Sequence, residues 1–293
     1  MPVPTIVSLK NQSQPLEGRF EDAAQAILQS DALYFGSGAG MGVDSGLPDF
    51  RGTQGFWKAY PPIAKLKLRF EEMANPRWFA DDPEFAWGFY GHRLNLYRET
   101  APHEGFSILR KWGESMNGGA FVYTSNVDGH FQQAGFEENQ VLECHGSINH
   151  LQCLEGCGQT IWAAEDIRVE VDPDSLRAKP PLPACPTCNG LARPNVLMFG
   201  DWGWDSTRAS EQHEKHQQWL AQGLNKKLAV IEIGAGTAIP TVRMNSESLA
   251  EGGDNQLIRI NPREANAPKG SISLPLGGLE ALQRIDATIK AKQ

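Results

Sequence analysis

Four times in this 293-residue chain a short apolar run breaks off into small or polar residues. ALYF (32–35) stops at Gly36, FVY (121–123) leads into TSNVDGH (124–130), KLAVIEI (227–233) into GAGT (234–237), and QLIRI (256–260) into NP (261–262). Segments of helical pattern stand among them, including 15–30 and a C-terminal stretch from Gly278 to Lys290 that follows a last short strand, SISLPL. Apolar runs that alternate with helices imply an α/β fold built on a mainly parallel sheet with helices on both faces. Ligands of such sheets sit beyond the carboxyl ends of the strands, which is where these polar tails fall.

The first tail is the richest. GSGAGMGVDSGLPDFRG (36–52) has too few packing residues to be core. Gly38 and Gly40 follow a strand directly, and with Gly36 they let backbone N–H groups approach a pyrophosphate. The strict G-x-G-x-x-G spacing is absent. Pro48-Asp49-Phe50-Arg51 then sets a carboxylate, an aromatic face and a guanidinium in a row, a set suited to a ligand with a charged ring and phosphates.

Two stretches interrupt the alternation: residues 53–101, aromatic-rich and helical in pattern, and residues 149–195, which carry four of the five cysteines. Cys153-x₃-Cys157 and Cys185-x₂-Cys188 form two knuckles, the pattern of a tetrahedral structural zinc with no open position. Cys144 is left over and reads as buried filler, and HEKH (213–216) as a solvated helix face. A formal net charge of −8 argues against general nucleic-acid binding. No run is long and apolar enough for a membrane span and no signal pattern opens the chain, so the expectation is a cytoplasmic protein with neither a nucleic-acid nor a membrane partner.

These motifs together resemble the sirtuin family of NAD-dependent protein deacylases. GAGMGVDSGLPDFR (38–51), TSNVD (124–128), His145-Gly146 in ECHGS, and CPTCNGLARPNVLMFGD (185–201) match that family's motifs in its order. The resemblance implies a Rossmann-like NAD-binding part (1–52, 102–148 and 196–293), a helical insertion (53–101) and a zinc-ribbon insertion (149–195). It implies NAD⁺ as co-substrate and one structural Zn²⁺ held by Cys153, Cys157, Cys185 and Cys188. The implied reaction transfers an acyl group from a protein lysine, releasing nicotinamide and O-acyl-ADP-ribose.

By the same resemblance His145 is the general base and Asn126 shares the catalytic pocket. An unperturbed imidazole suits proton abstraction near neutral pH. NAD contacts fall to Gly38, Ala39, Gly40, Asp49, Phe50, Arg51, Ser125, Asn126, Asp128, Gly234, Gly236 and Asn261. An acylated-lysine protein or peptide is the implied partner, reaching Phe199 and Gly200. Tyr90 and Arg93 match the pair with which one class of the family receives malonyl and succinyl groups. Ser125 stands where the family has glutamine, Gly42 where it has serine, GAGT where it has Gly-Thr-Ser-Leu, and Asp201 where it has glutamate. The altered ribose pocket leaves two other readings: an NAD glycohydrolase or ADP-ribosyl transferase, and a non-catalytic NAD-sensing module.

Overall fold

The computed structural model describes residues 14–48, 53–223 and 226–293. Six parallel strands form the main sheet: β1 (Ala32–Ser37), β2 (Ala120–Thr124), β3 (Val141–Glu143), β9 (Leu228–Ile233), β10 (Gln256–Ile260) and β11 (Ile272–Leu274). Between β3 and β9 the chain adds β4 (Gly146–Cys153), β5 (Trp162–Ala163), β6 (Val171–Asp172), β7 (Arg177–Ala178) and β8 (Ala192–Val196). The main sheet runs in the order β3-β2-β1-β9-β10-β11, the doubly wound arrangement whose direction of winding reverses between β1 and β9.

Period-two alternation explains why both faces are covered. Leu33, Phe35, Val122, Ile231 and Ile258 face the helices Leu16–Leu28, Glu104–Ser115 and Gly278–Lys290. Tyr34, Phe121, Val230 and Leu257 face the opposite way, toward the helices Thr207–Gln222 and Thr241–Ala250. A third apolar cluster lies off the sheet. There residues of segment 53–101, such as Phe56, Trp87 and Tyr90, interleave with Leu151, Ala164, Val169 and Ala192 from the cysteine-bearing stretch. The two interruptions therefore share one core. In that stretch β4 is central in an antiparallel three-stranded sheet, β5-β4-β8.

HEKH corrects the sequence reading at one of its two histidines. His216 is only 2% exposed and packs against Tyr34 and Phe121, with ring centroids 5.6 and 5.0 Å away. Tyr34 donates its hydroxyl to Asn245 Oδ1 at 2.6 Å, so it accepts from His216 Nε2 at 3.1 Å. The helix looks polar in sequence, but its one buried imidazole is a hydrogen-bonded filler beneath the sheet.

Burial, reinforced by His213, pushes the His216 pKa down to about 4. Its folded value is below the roughly 6.5 of an exposed imidazole, so the unfolded chain takes the proton first. The stability contributed by neutral His216 is complete above that ordinary value and is lost as pH falls through about 4. Melting temperature followed from neutral pH down to about 4 is expected to fall less steeply in His216→Phe than in the unaltered protein. Equal slopes would show that this imidazole does not titrate on unfolding.

Candidate functional site

The carboxyl ends of β1, β2 and β3 are tied together by their own backbone. Ser37 O accepts from Ser125 N at 3.1 Å and from Thr124 Oγ1 at 3.1 Å, and Thr124 O accepts from Cys144 N at 2.9 Å. Thr124 Oγ1 also accepts from Asn126 N at 3.0 Å. This knot sets Ser125, Asn126 and His145 side by side at the strand ends. The Ser125 backbone carbonyl favours a proton on the His145 imidazole, and the neutral ring keeps a lone pair on one of its nitrogens. Burial lowers its pKa, and the Ser125 hydrogen bond opposes that only in part, so the ring is neutral at neutral pH.

Across the point where the winding reverses, the loops after β1 and β9 touch. Gly38 N donates to Ile233 O and Gly40 N to Gly234 O, both at 3.0 Å. A Cβ on Gly38 would lie 2.6 Å from Ala235 Cα, so glycine is required for this approach. Ala39 alone of the Gly-Ala-Gly trio is exposed. Its amide donates to no group among the described residues, which fits a phosphate-binding turn. Asp128 is half-buried, and its Oδ1 accepts from His130 N at 3.0 Å.

Other expected positions are differently employed. Asn261 is fully buried; its amide donates to Ala235 O at 2.8 Å and accepts from Arg263 N and Glu264 N at 3.0 and 2.9 Å. It braces the ends of β9 and β10. Gly234 belongs to the loop contact, and half-buried Gly236 follows it. Thr237, the one hydroxyl in the GAGT stretch that stands where the family has Gly-Thr-Ser-Leu, gives both its N–H and its hydroxyl to Glu264. Asp49, Phe50 and Arg51 lie outside the described residues. Cys144, expected as buried filler, is only half-buried at the edge of the apolar cluster around Tyr34 and Phe121, and burial pushes its thiol up to about 11.

On the far side of His145, Leu197 N donates to the His145 carbonyl at 2.9 Å and Phe199 N to Ala74 O at 2.9 Å. Gly200 turns the chain with φ of +69°. What sequence reasoning missed is the anchor of this loop. The side chains of Arg193 and Asp201 are 1% and 0% exposed and pair through both carboxylate oxygens, while Asp201 also accepts from Met198 N and Gly203 N. Residues eight apart carry no local signal of such a pair.

Tyr90 and Arg93 lie on the helix Pro83–Glu99, 1% and 6% exposed. The Arg93 guanidinium donates to Tyr97 Oη at 3.0 and 2.8 Å and lies 5.3 Å from the Phe89 ring and 5.9 Å from that of Phe70. Phe70 in turn meets Phe199 edge-on at 6.2 Å. The pair sits one ring deeper than the loop after β8.

The four cysteines of the arm converge as their spacing suggests. Their Sγ atoms all lie within 4.8 Å of one another, with Cys153–Cys188 and Cys157–Cys185 at 3.6 Å. Four thiolates bound tetrahedrally to zinc at about 2.3 Å stand about 3.8 Å apart, so the set fits that ion. Backbone N–H groups of Glu155 and Gly190 point at Cys153 and Cys188 Sγ, 3.3 and 3.4 Å away, and stabilise thiolates. Metal analysis is expected to return one zinc per chain, and Cys185→Ser or chelation to lower the melting temperature with loss of the arm's structure. A metal-free protein with an unchanged melting curve would contradict this.

The sequence profile of the Sir2 family matches residues 38–223. An NAD-dependent protein deacylase of Aquifex aeolicus is 34% identical over 165 residues, 56% of this chain and 60% of that protein. NAD-dependent protein deacylase 1 of Archaeoglobus fulgidus is 33% identical over 62% of this chain and 65% of its own length, so these alignments span less than two thirds of either relative. An NAD-dependent protein deacylase of Leptospira interrogans is 31% identical over 244 residues, 83% of this chain and 85% of that one. Among solved structures, a mutant Sir2 homologue in complex with ADP-ribose superposes with a TM-score of 0.69 at 25% identity, covering 93% of this chain and 97% of the other. Matched by profile through the glycine loop, the strand-end knot and the cysteine arm, and by backbone over nearly all its length, the chain belongs to the Sir2 family, that of the sirtuins.

Proposed function

We propose that this protein is an NAD-dependent lysine deacylase, with His145 as general base. The observation that carries the reading is the placement, on either side of the reversal of the sheet, of the His145 imidazole at the strand-end knot and the unengaged Ala39 amide on a glycine turn. Bound NAD supplies a ribose carbon from which nicotinamide can leave. The residues around it do the rest. The amide of Ala39, admitted by Gly38 and Gly40, holds a phosphate. Asn126 and the free oxygen of Asp128 orient the carboxamide and the reacting ribose. His145 takes the proton of a ribose hydroxyl on the ring nitrogen that carries the lone pair. The acylated lysine enters past Phe199 and Gly200, and the cysteine arm holds zinc purely as a fold element.

Nicotinamide release measured with and without acetyl-, malonyl- and succinyl-lysine peptides tests this. Release is expected only with an acyl peptide; release with none would mean a glycohydrolase, and binding without release a sensing module. His145→Ala is expected to abolish deacylation while NAD affinity stays within a few-fold. The base works only when unprotonated and its pKa is lowered, so the acid limb of kcat/KM is expected below the ordinary imidazole value. Near-normal turnover in His145→Ala would refute the assignment.

We infer further that Tyr90 and Arg93 receive acidic acyl groups. A guanidinium held among aromatic faces keeps its charge and can turn its donors from Tyr97 to a carboxylate. A charged hydrogen bond of about 1.5–3 kcal/mol predicts that Arg93→Met cuts succinyl relative to acetyl turnover by roughly tenfold to a hundredfold. Unchanged selectivity would discard the idea.

A further inference from the structure

Arg93 and Tyr97 stand one turn apart on the helix Pro83–Glu99, a spacing at which side chains meet. Both are buried. Two different guanidinium nitrogens of Arg93 converge on one oxygen: Nε at 3.0 Å and Nη2 at 2.8 Å both donate to Tyr97 Oη. Nε and Nη2 form the side edge of the guanidinium fork, an edge with which arginine takes a carboxylate through two parallel bonds. Tyr97 thus fills, with a single oxygen, the place that both oxygens of a carboxylate would take. Burial holds its phenol above the ordinary value against the pull of Arg93, so the occupant is neutral. Tyr97 lies two residues before the helix end at Glu99 and borders a cavity of about 580 Å³ that also reaches Asp128 and Asn149. A phenol released from the guanidinium therefore has space beside it.

We propose that Tyr97 is a specificity-determining residue: it holds the Nε–Nη2 edge of Arg93 while a neutral acyl group is bound, and yields that edge to the carboxylate of an acidic one. This rests on the reading of Tyr90 and Arg93 as the acidic-acyl pair, of which Tyr97 is not a member. A neutral acyl group such as acetyl excludes water and brings no carboxylate. Without Tyr97 Oη it would leave the edge buried and without that acceptor, which is the costly half of a hydrogen bond. An acidic acyl group carries its own acceptor and has to compete with Tyr97 for the edge. One hydroxyl thereby lets a single pocket serve both classes and lowers its preference for the acidic one.

The test measures kcat/KM of the full chain for acetyl- and succinyl-lysine peptides of one sequence, in the unaltered protein, Tyr97→Phe, Arg93→Met and the double variant. Tyr97→Phe removes only the hydroxyl. It is expected to raise the succinyl-to-acetyl ratio by roughly tenfold, the opposite direction to Arg93→Met, through a lower KM for succinyl and weaker use of acetyl. In the Arg93→Met background the same change is expected to leave the ratio unmoved, because the hydroxyl acts through the guanidinium. An equal loss with both peptides, the mark of a purely structural role, overturns the proposal. So does a fall in the ratio, which would make Tyr97 a donor to the carboxylate, or a rise that persists without Arg93. An unchanged ratio in Arg93→Met discards the acidic-acyl reading and the proposal with it. A lowered ratio there, with Tyr97→Phe at the unaltered value, overturns the role of Tyr97 alone. Calorimetric binding of the two peptides reads the same competition without turnover: a tighter succinyl complex in Tyr97→Phe supports the proposal, and an equal or weaker one overturns it.

Discussion

The backbone contact between the loops after β1 and β9 is the constraint on which the site depends. A Cβ on Gly234, which has φ of +62°, would sit 2.5 Å from Gly40 Cα, so no side chain fits between the loops from either side. With none there, the two loops hydrogen-bond to each other and floor the crevice where the sheet reverses direction. β1 is one half of that contact and also the acceptor for the knot at Ser37. The position of His145 thus follows, through Thr124 and Cys144, from the same strand that presents Ala39.

Around this frame, charge is buried in pairs. Arg259 and Glu232 are each about 1% exposed under the ends of β9 and β10, with Glu247 at the edge. Glu143 at the end of β3 pairs with Arg208 at 2.6 Å, and Arg193 with Asp201 behind the loop after β8. Removing such ions from water costs several kcal/mol each, which good geometry and further hydrogen bonds must offset. Each pair lies where a strand gives way to a site loop. We read them as devices that fix loop position more than as sources of stability. In that light Asp201, shorter than the family's glutamate, is no defect: it still meets Arg193 with both oxygens and caps two backbone amides.

The parts legible in the sequence were those with local physical signals. Period-two apolar runs ending in glycine or asparagine marked β1, β2, β9 and β10, and thiol spacing marked the cysteine cluster. β4 and β8 were not legible as strands. They bury Gln152, Arg193 and Asn195, which bond to one another between the two strands or to the loop after β8, so their apolar alternation is broken. His216 was misread for the same reason, since only Tyr34, more than a hundred and eighty residues away in sequence, makes its burial tolerable. Asn261 and Thr237 were identified by position, but what their polar atoms bond to depends on Glu264 and Ala235, which no motif places.

The shared core off the sheet ties the cysteine arm to the helix Pro83–Glu99. The helix carrying Tyr90 and Arg93 packs so closely that a Cβ on Gly88 would overlap the Leu176 carbonyl. Trp87 donates to Ala192 O at 2.9 Å, Asn95 to Val169 O at 2.8 Å, and Arg98 to Ile167 O at 2.7 Å. Every one of those acceptors lies in the stretch that the four thiolates close. The main sheet, with its glycine contact and strand-end knot, draws its core from other residues. Loosening the arm would therefore disturb the helix that carries Tyr90 and Arg93 before it disturbed the glycine contact and the strand-end knot.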